Sequence, residues 1–263
     1  MADYRAIRLA IENQVAWITL NRPEARNAVN DEMREELIAV LTDARTSSGI
    51  RALVLTGSGK GFCSGADLGR RGGGPSGPGA AREIMRTRSQ RLVRALWDLE
   101  KPVVAAVNGV AAGLGSHLAF ACDLVIAAAE ARFIEVFVRR GIAVDGGGAY
   151  LLPRLIGLAK AKELVFFGGD CPAEEALRIG LINKVVPGEH LLAAAREWAE
   201  ELAQGPTFAI GISKRLLNRS LDSDLETALD EEATFQSLVT QSEDTREGMK
   251  AFAEKRKPVF TGK

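Results

Sequence analysis

Little in this chain suits a disulfide scaffold, a metal centre or a nucleic-acid surface. Its three cysteines, Cys63, Cys122 and Cys171, are isolated, odd in number and never in Cys-x-x-Cys spacing. A disulfide framework and a thiolate metal site are therefore not expected. Only two histidines occur, His117 and His190, too few for a histidine-rich metal site. Lys plus Arg and Asp plus Glu are both 34, so the formal net charge is zero. There is neither the basic surplus of a nucleic-acid binder nor an acidic tail. The first residues, Met1-Ala2-Asp3-Tyr4-Arg5, lack the charged-then-apolar pattern of a secretory leader. The apolar stretch Pro102–Ala129 is broken by Asn108, His117 and Asp123 and reads as a buried strand–turn–helix–strand, not a membrane span. Gly57–Gly61 lacks the spacing of a phosphate loop, and no Gly-x-Gly-x-x-Gly follows a strand, so neither a nucleotide triphosphate nor a nicotinamide cofactor is implied. The expectation is a cytoplasmic protein with no metal, no membrane contact and no nucleic-acid partner.

What is present is a large apolar inventory, 46% of 263 residues, enough for one core and a smaller appendage. Ile7–Ile11 and Val15–Leu20 read as a hairpin, and Asp31 as the N-cap of a helix to about Arg45. Strands are expected at Ala52–Thr56, Val103–Val107 and Leu124–Ala127. Helices are expected at Ala80–Leu99, Leu114–Cys122, Gly147–Ile156, Ala159–Phe167, Ala173–Ile179 and Leu191–Ala203, with a helical region from Pro206 to Phe252. Arg70–Gly79, rich in Gly, Pro and Ser, reads as a mobile loop or a lid.

Two glycine-rich segments each follow a buried-strand pattern: Gly61-Phe62-Cys63-Ser64-Gly65-Ala66-Asp67-Leu68 and Asn108-Gly109-Val110-Ala111-Ala112-Gly113-Leu114-Gly115-Ser116-His117-Leu118. Small residues let backbone approach a ligand, and two facing N–H groups at such junctions would stabilise developing negative charge.

These segments, with Leu20-Asn21-Arg22-Pro23, Arg26-Asn27-Ala28, Cys122-Asp123-Leu124, Gly146-Gly147-Gly148, Leu152-Pro153-Arg154-Leu155, Gly180-Leu181 and Phe260-Thr261-Gly262, resemble in order the signature of the crotonase (enoyl-CoA hydratase/isomerase) superfamily. The resemblance implies an α/β fold, a spiral of strand–strand–helix units over residues 1–204, with a helical oligomerisation region over 205–263. It implies an acyl-CoA thioester as substrate, so that coenzyme A arrives with the substrate and no separate cofactor is needed. It places an enolate-binding pair of N–H groups at Ala66 and Leu114. It implies substrate contacts at Arg26, Ala28, Ser64, Ala66, Asp67, Leu68, Gly113 and Phe137. Lys255 and Phe260 are assigned to a tail that reaches a neighbour's site in a trimer or dimer of trimers. Asp67 also fits a turn cap, Asp123 a structural carboxylate and His190 a surface loop.

The hydratases of this superfamily use two glutamates. At the matching positions this chain has His117 and Phe137, and Phe137 can neither activate water nor deliver a proton. The replacement is Asp145. The segment Phe137–Gly148 is similar to the isomerase branch, which includes ring-opening epoxyphenylacetyl-CoA isomerases, except that Val144 stands where that branch usually has proline. Asp145 before three glycines also fits a helix N-cap, His117 also fits a packed core histidine, and Glu135 would share the face of Phe137 in an extended segment. The reading is an acyl-CoA isomerase with Asp145 as base and His117 as auxiliary. The rivals are an enoyl-CoA hydratase or lyase and a non-catalytic acyl-CoA binder, with a hydrolase or dehalogenase acting through an Asp145 adduct the weakest.

Overall fold

A computed structural model describes residues 4–69, 77 and 79–263. The loop or lid expected at 70–79 falls almost wholly outside the described residues. The chain opens with the antiparallel hairpin β1 (Ile7–Glu12) and β2 (Val15–Leu20), whose tight turn puts Asn13 and Gln14 at positive φ. Helix α1 (Asp31–Thr46) follows. Its cap is Asn30, not Asp31: the Asn30 Oδ1 accepts the Met33 N–H at 2.8 Å. Asp31 instead sits in the first turn, where its charge favours the helix dipole.

From here the chain alternates between two sheets. β3 (Ala52–Gly57), β5 (Val103–Val107), β7 (Leu124–Ala128) and β10 (Lys184–Val186) extend the hairpin into a six-stranded sheet, parallel from β2 onward. Each of β3, β5 and β7 is followed by a three-residue strand of a second sheet: β4 (Gly61–Cys63), β6 (Val110–Ala112) and β8 (Arg132–Ile134). These three run parallel, and β9 (Asp170–Pro172) closes that sheet antiparallel to β8. The result is the spiral of strand–strand–helix units that the sequence implied. β5 is buried at every residue, which is why it reads as an unbroken apolar run.

Helices fill the returns. The segment expected as one helix from Ala80 to Leu99 is two, α2 (Ala80–Thr87) and α3 (Ser89–Trp97), broken where Arg88 takes φ −109° and ψ −95°. α4 (Leu114–Phe120) is buried throughout. α5 (Gly148–Phe167) carries a break at Gly157, φ 74° and ψ 158°, at the boundary read between two expected helices. α6 (Ala173–Arg178) and α7 (Leu191–Gln204) follow. α7 lies on the large sheet through Ala194, Ala195, Ala199 and Ala203, small side chains that allow close approach. The chain ends in α8 (Thr207–Ser220), α9 (Leu225–Val239) and α10 (Glu243–Glu254). The tail beyond α10 folds back: buried Asp244 accepts the N–H groups of Thr261 and Gly262, and Arg51 donates to the Phe260 carbonyl. No helix among the described residues is long and apolar enough to cross a membrane.

A largely buried ion pair ties α8 to the core. Lys214 Nζ lies 2.9 Å from Asp123 Oδ2, and the same oxygen accepts the Val103 N–H that starts β5. Burial pushes the Asp123 carboxyl up, and Lys214 pulls it back. Lys214→Met removes the compensating charge and should destabilise the fold by about 2–3 kcal/mol in urea unfolding at pH 7. Because an unpaired Asp123 carboxyl is raised further, its stabilising contribution is lost as pH rises, so the deficit should shrink toward pH 4. A variant as stable as the parent at both pH values would show the pair to be energetically idle.

Candidate active site

The three parallel strands of the small sheet end at one edge, and a ligand site in an α/β fold is expected beyond carboxyl ends of strands. β4 delivers Ser64-Gly65-Ala66, β6 delivers Gly113-Leu114, and β8 delivers Glu135-Val136-Phe137. They converge on a cavity of about 680 Å³. Of the expected site residues, Ser64, Ala66, Asp67, Leu68, Gly113, Leu114, Phe137 and Asp145 line it.

The first segment is fixed by a backbone lattice. Asn27, fully buried at φ 54°, donates through Nδ2 to the carbonyls of Ser58 and Gly61, both at 2.9 Å. It therefore ties the 22–28 loop to the turn before β4. Ser64 N–H donates to the Arg26 carbonyl, Val29 N–H to Gly65, and Asp67 N–H to Val29, at 3.0, 2.8 and 3.0 Å. In this parallel bridge the residues flanking Ala66 face Val29, so the N–H of Ala66 itself points the other way. No backbone acceptor among the described residues takes it.

On that other side lies the second segment. Gly65 has φ 101°, and a Cβ there would stand 2.8 Å from the Ala112 carbonyl and 3.6 Å from the Leu114 nitrogen. Leu114 opens α4, so its N–H has no partner within the helix. Two unpaired amides thus face one cavity from adjoining strands, the arrangement needed to bind a developing oxyanion.

Asp145 supplies the carboxylate. It is half-buried in the cavity wall and forms no side-chain hydrogen bond or ion pair with the described residues. The N-cap reading of its side chain does not hold: Gly147 caps α5 without any side-chain bond, and only the Asp145 carbonyl is used, by the Gly148 N–H. Burial pushes the Asp145 carboxyl above its ordinary range. A proton on His117 opposes this, and the charge of Glu135 reinforces it. Asp67 behaves oppositely. Its carboxyl accepts the Gly69 N–H at 2.9 Å and pairs with Arg22 at 2.8 Å, and both hold it below the ordinary range. It remains an anion that closes a turn.

His117 lies behind the wall. It has no exposed surface and does not line the cavity, so it reaches reacting atoms only through Asp145 or the backbone. Its ring stacks on Phe137, with centroids 5.4 Å apart and planes at 10°, and its Nε2 is 3.0 Å from Glu135 Oε2. The expectation that Glu135 shares the face of Phe137 is corrected. The chain turns helical at Phe137, φ −59° and ψ −52°, so Phe137 meets the cavity while Glu135 is buried outside it.

Other expected contacts fall elsewhere. Arg26 is exposed and contributes its carbonyl to the lattice, but neither it nor Ala28 lines the cavity, and among the described residues the wall's basic side chains are Arg22, Arg34, Arg88 and Arg140. Lys255 and Phe260 do not line the cavity of their own chain; Lys255 caps α10 at φ 53°, and Phe260 packs beside Gly248. The thiol of Cys63, at the end of β4, is buried and pushed up to about 12, which leaves no thiolate nucleophile beside the free amides. The Asn27 lattice and the Arg22–Asp67 pair carry no local sequence signal of their own; only spacing across separate segments points to them.

The two-sheet spiral is the crotonase fold. The chain belongs to the enoyl-CoA hydratase/isomerase family, whose model matches residues 10–263. It is 44% identical over 254 residues to a 1,2-epoxyphenylacetyl-CoA isomerase of Escherichia coli, covering 96% of this chain and 97% of that one. It is also 44% identical to a probable enoyl-CoA hydratase of Rhodobacter capsulatus, covering 99% and 100%. The crystal structure of a putative enoyl-CoA hydratase from Streptomyces coelicolor superposes with a TM-score of 0.92 at 38% identity, over 100% of this chain and 96% of that one.

The raised Asp145 carboxyl has a consequence for stability. A carboxyl whose folded pKa exceeds its unfolded value stabilises the fold below the unfolded pKa and loses that contribution as pH rises. Asp145→Asn should therefore raise the urea midpoint at pH 7, and the gain should vanish near pH 3. An equal or lower midpoint at pH 7 would show that Asp145 ionises without cost.

Proposed function

We propose that this protein is an acyl-CoA isomerase that shifts a double bond, or opens a ring, through a thioester enolate. The observation that carries this reading is the single half-buried, unpaired carboxylate of Asp145 on a wall shared with the free amides of Ala66 and Leu114. The thioester oxygen accepts both N–H groups, and the charge that develops as the adjacent C–H is broken is taken up there. Asp145 removes that proton as carboxylate and, as carboxylic acid, returns it to another carbon of the acyl group. One group of raised pKa suits both halves of such a transfer. Hydration would need a second acid or base beside the bound water. The two positions that supply it in the hydratases hold Phe137 and the sealed His117.

The test is turnover of a thioester panel of 3-enoyl, 2-enoyl, 3,5-dienoyl and aryl-epoxide compounds. Asp145→Asn should lower isomerisation and α-proton exchange by about 10²–10⁴-fold with thioester affinity nearly unchanged. Hydration of crotonyl-CoA by the parent should be at least about 100-fold slower than by a two-glutamate relative. Comparable hydration would establish the hydratase reading instead, and tight thioester binding without α-proton exchange would establish a silent binder.

The same reading divides the chain into a catalytic spiral, 1–204, and an oligomerisation region, 205–263. Apolar side chains on α8–α10 support it: Leu225 is 75% exposed, Met249 71% and Phe252 86%. Leu229 and Leu238 are also exposed, whereas Phe235 is half-covered beneath Arg215. A trimer or dimer of trimers would cover them and would bring Lys255 and Phe260 to a neighbour's site. Light scattering at micromolar concentration should give three or six copies; a stable monomer would remove both claims.

A further inference from the structure

Between the small sheet and the start of α5 lies a buried titratable pair that the catalytic scheme leaves unused. His117 and Glu135 are 0% and 3% exposed, and each keeps one polar atom, Nδ1 and Oε1, without a hydrogen-bond partner. Their remaining atoms are joined by the Nε2–Oε2 contact of 3.0 Å. Burying two ionisable groups with half their polar valence unused is costly, and apolar side chains of similar size would fill the space more cheaply.

The pair lies directly under the turn that carries Asp145. A Cβ on Gly148 would stand 2.3 Å from both Cε1 and Nε2 of His117, and one on Gly146 would stand 3.3 Å from Nδ1. The glycines of this turn therefore rest on the imidazole, and Phe137 stacks on the same ring. Glu135 Oε2 holds the imidazole through Nε2, and Nδ1 lies toward the turn.

We propose that Glu135, acting through His117, is a positioning residue for Asp145: the pair holds the 145–148 turn in place and sets the pH at which Asp145 ionises. This rests on the reading of Asp145 as the catalytic base, but the effect on ionisation can be measured without it. Facing Asp145 from the protein side are His117 of α4 and Glu135 after β8. Across the cavity are Arg140, Arg88 at the head of α3 with Asp31, Glu32 and Arg34 of α1, and the mutually neutralised Arg22 and Asp67. Glu135→Gln leaves all of these in place. It keeps the shape and an acceptor for the Nε2–H and removes one negative charge.

The experiment is a carboxyl-carbon NMR titration of the unliganded protein, with the Asp145 resonance assigned from its loss in Asp145→Asn, beside the pH profile of kcat/KM. In Glu135→Gln the Asp145 midpoint should fall by about half a pH unit or more, because a like charge nearby has been removed. The acid limb of kcat/KM should fall with it. Should Glu135→Gln not fold, Glu135→Met removes the same charge at similar volume and leaves His117 in place, and the same downward shift is expected. An Asp145 midpoint unchanged or raised in the variant that folds would overturn the proposal. A midpoint that falls while the kinetic limb stays in place would uphold the pair and remove Asp145 as the base.

Discussion

The site depends on one close approach. Gly65 crosses the end of β6 at a distance that leaves no room for a Cβ against the Ala112 carbonyl. Its positive φ turns the chain so that Ala66 can bridge to Val29 on one side and present its amide on the other. The rest of the wall is arranged around that crossing. The Asn27 side chain anchors the strand that Ala66 pairs with, and α4 must begin at Leu114 for a second amide to stand free beside the first. A side chain at position 65 would part the two segments and separate the donors, even with every cavity-lining residue retained.

That geometry is indifferent to which reaction follows. Two free amides suit an oxyanion, and what stands opposite selects the chemistry. Here the segment after β8 contributes an aromatic ring to the cavity and hides its carboxylate, because the backbone turns helical at Phe137. Among the described residues of the wall, the half-buried carboxylate whose pKa is raised comes instead from the turn before α5. On the proposed reading, the working carboxylate is delivered from that turn and not from the segment after β8.

The large sheet apart from its short last strand β10, and most helices, were legible because their apolar runs are long enough to show a period: Val103–Val107 as an unbroken buried strand, Leu191–Ala203 as an amphipathic helix. The small sheet was not. Three residues of β4, β6 or β8 carry no period, and their pairing depends on partners about fifty or twenty residues away. The break at Arg88 was equally hidden, since no proline or glycine marks it. Asn30 lost to Asp31 as the expected cap because both are good capping residues one position apart. The motif positions at 64–68, 113–114 and 145 did come together at one cavity. Arg26, Ala28, Lys255 and Phe260 did not, and the burial of His117 and Glu135 against each other was invisible, because it joins residues 18 apart through a turn that the sequence reads as extended.

Cys63 sits at the end of β4, its thiol enclosed where the first glycine-rich segment meets α4. With its pKa pushed to about 12, little thiolate exists at neutral pH even before access is considered. An alkylating reagent can reach that sulfur only when the packing between the first glycine-rich segment and α4 opens. The molecule therefore carries its own gauge of how often that packing opens, in a side chain that takes no part in the chemistry the two amides support.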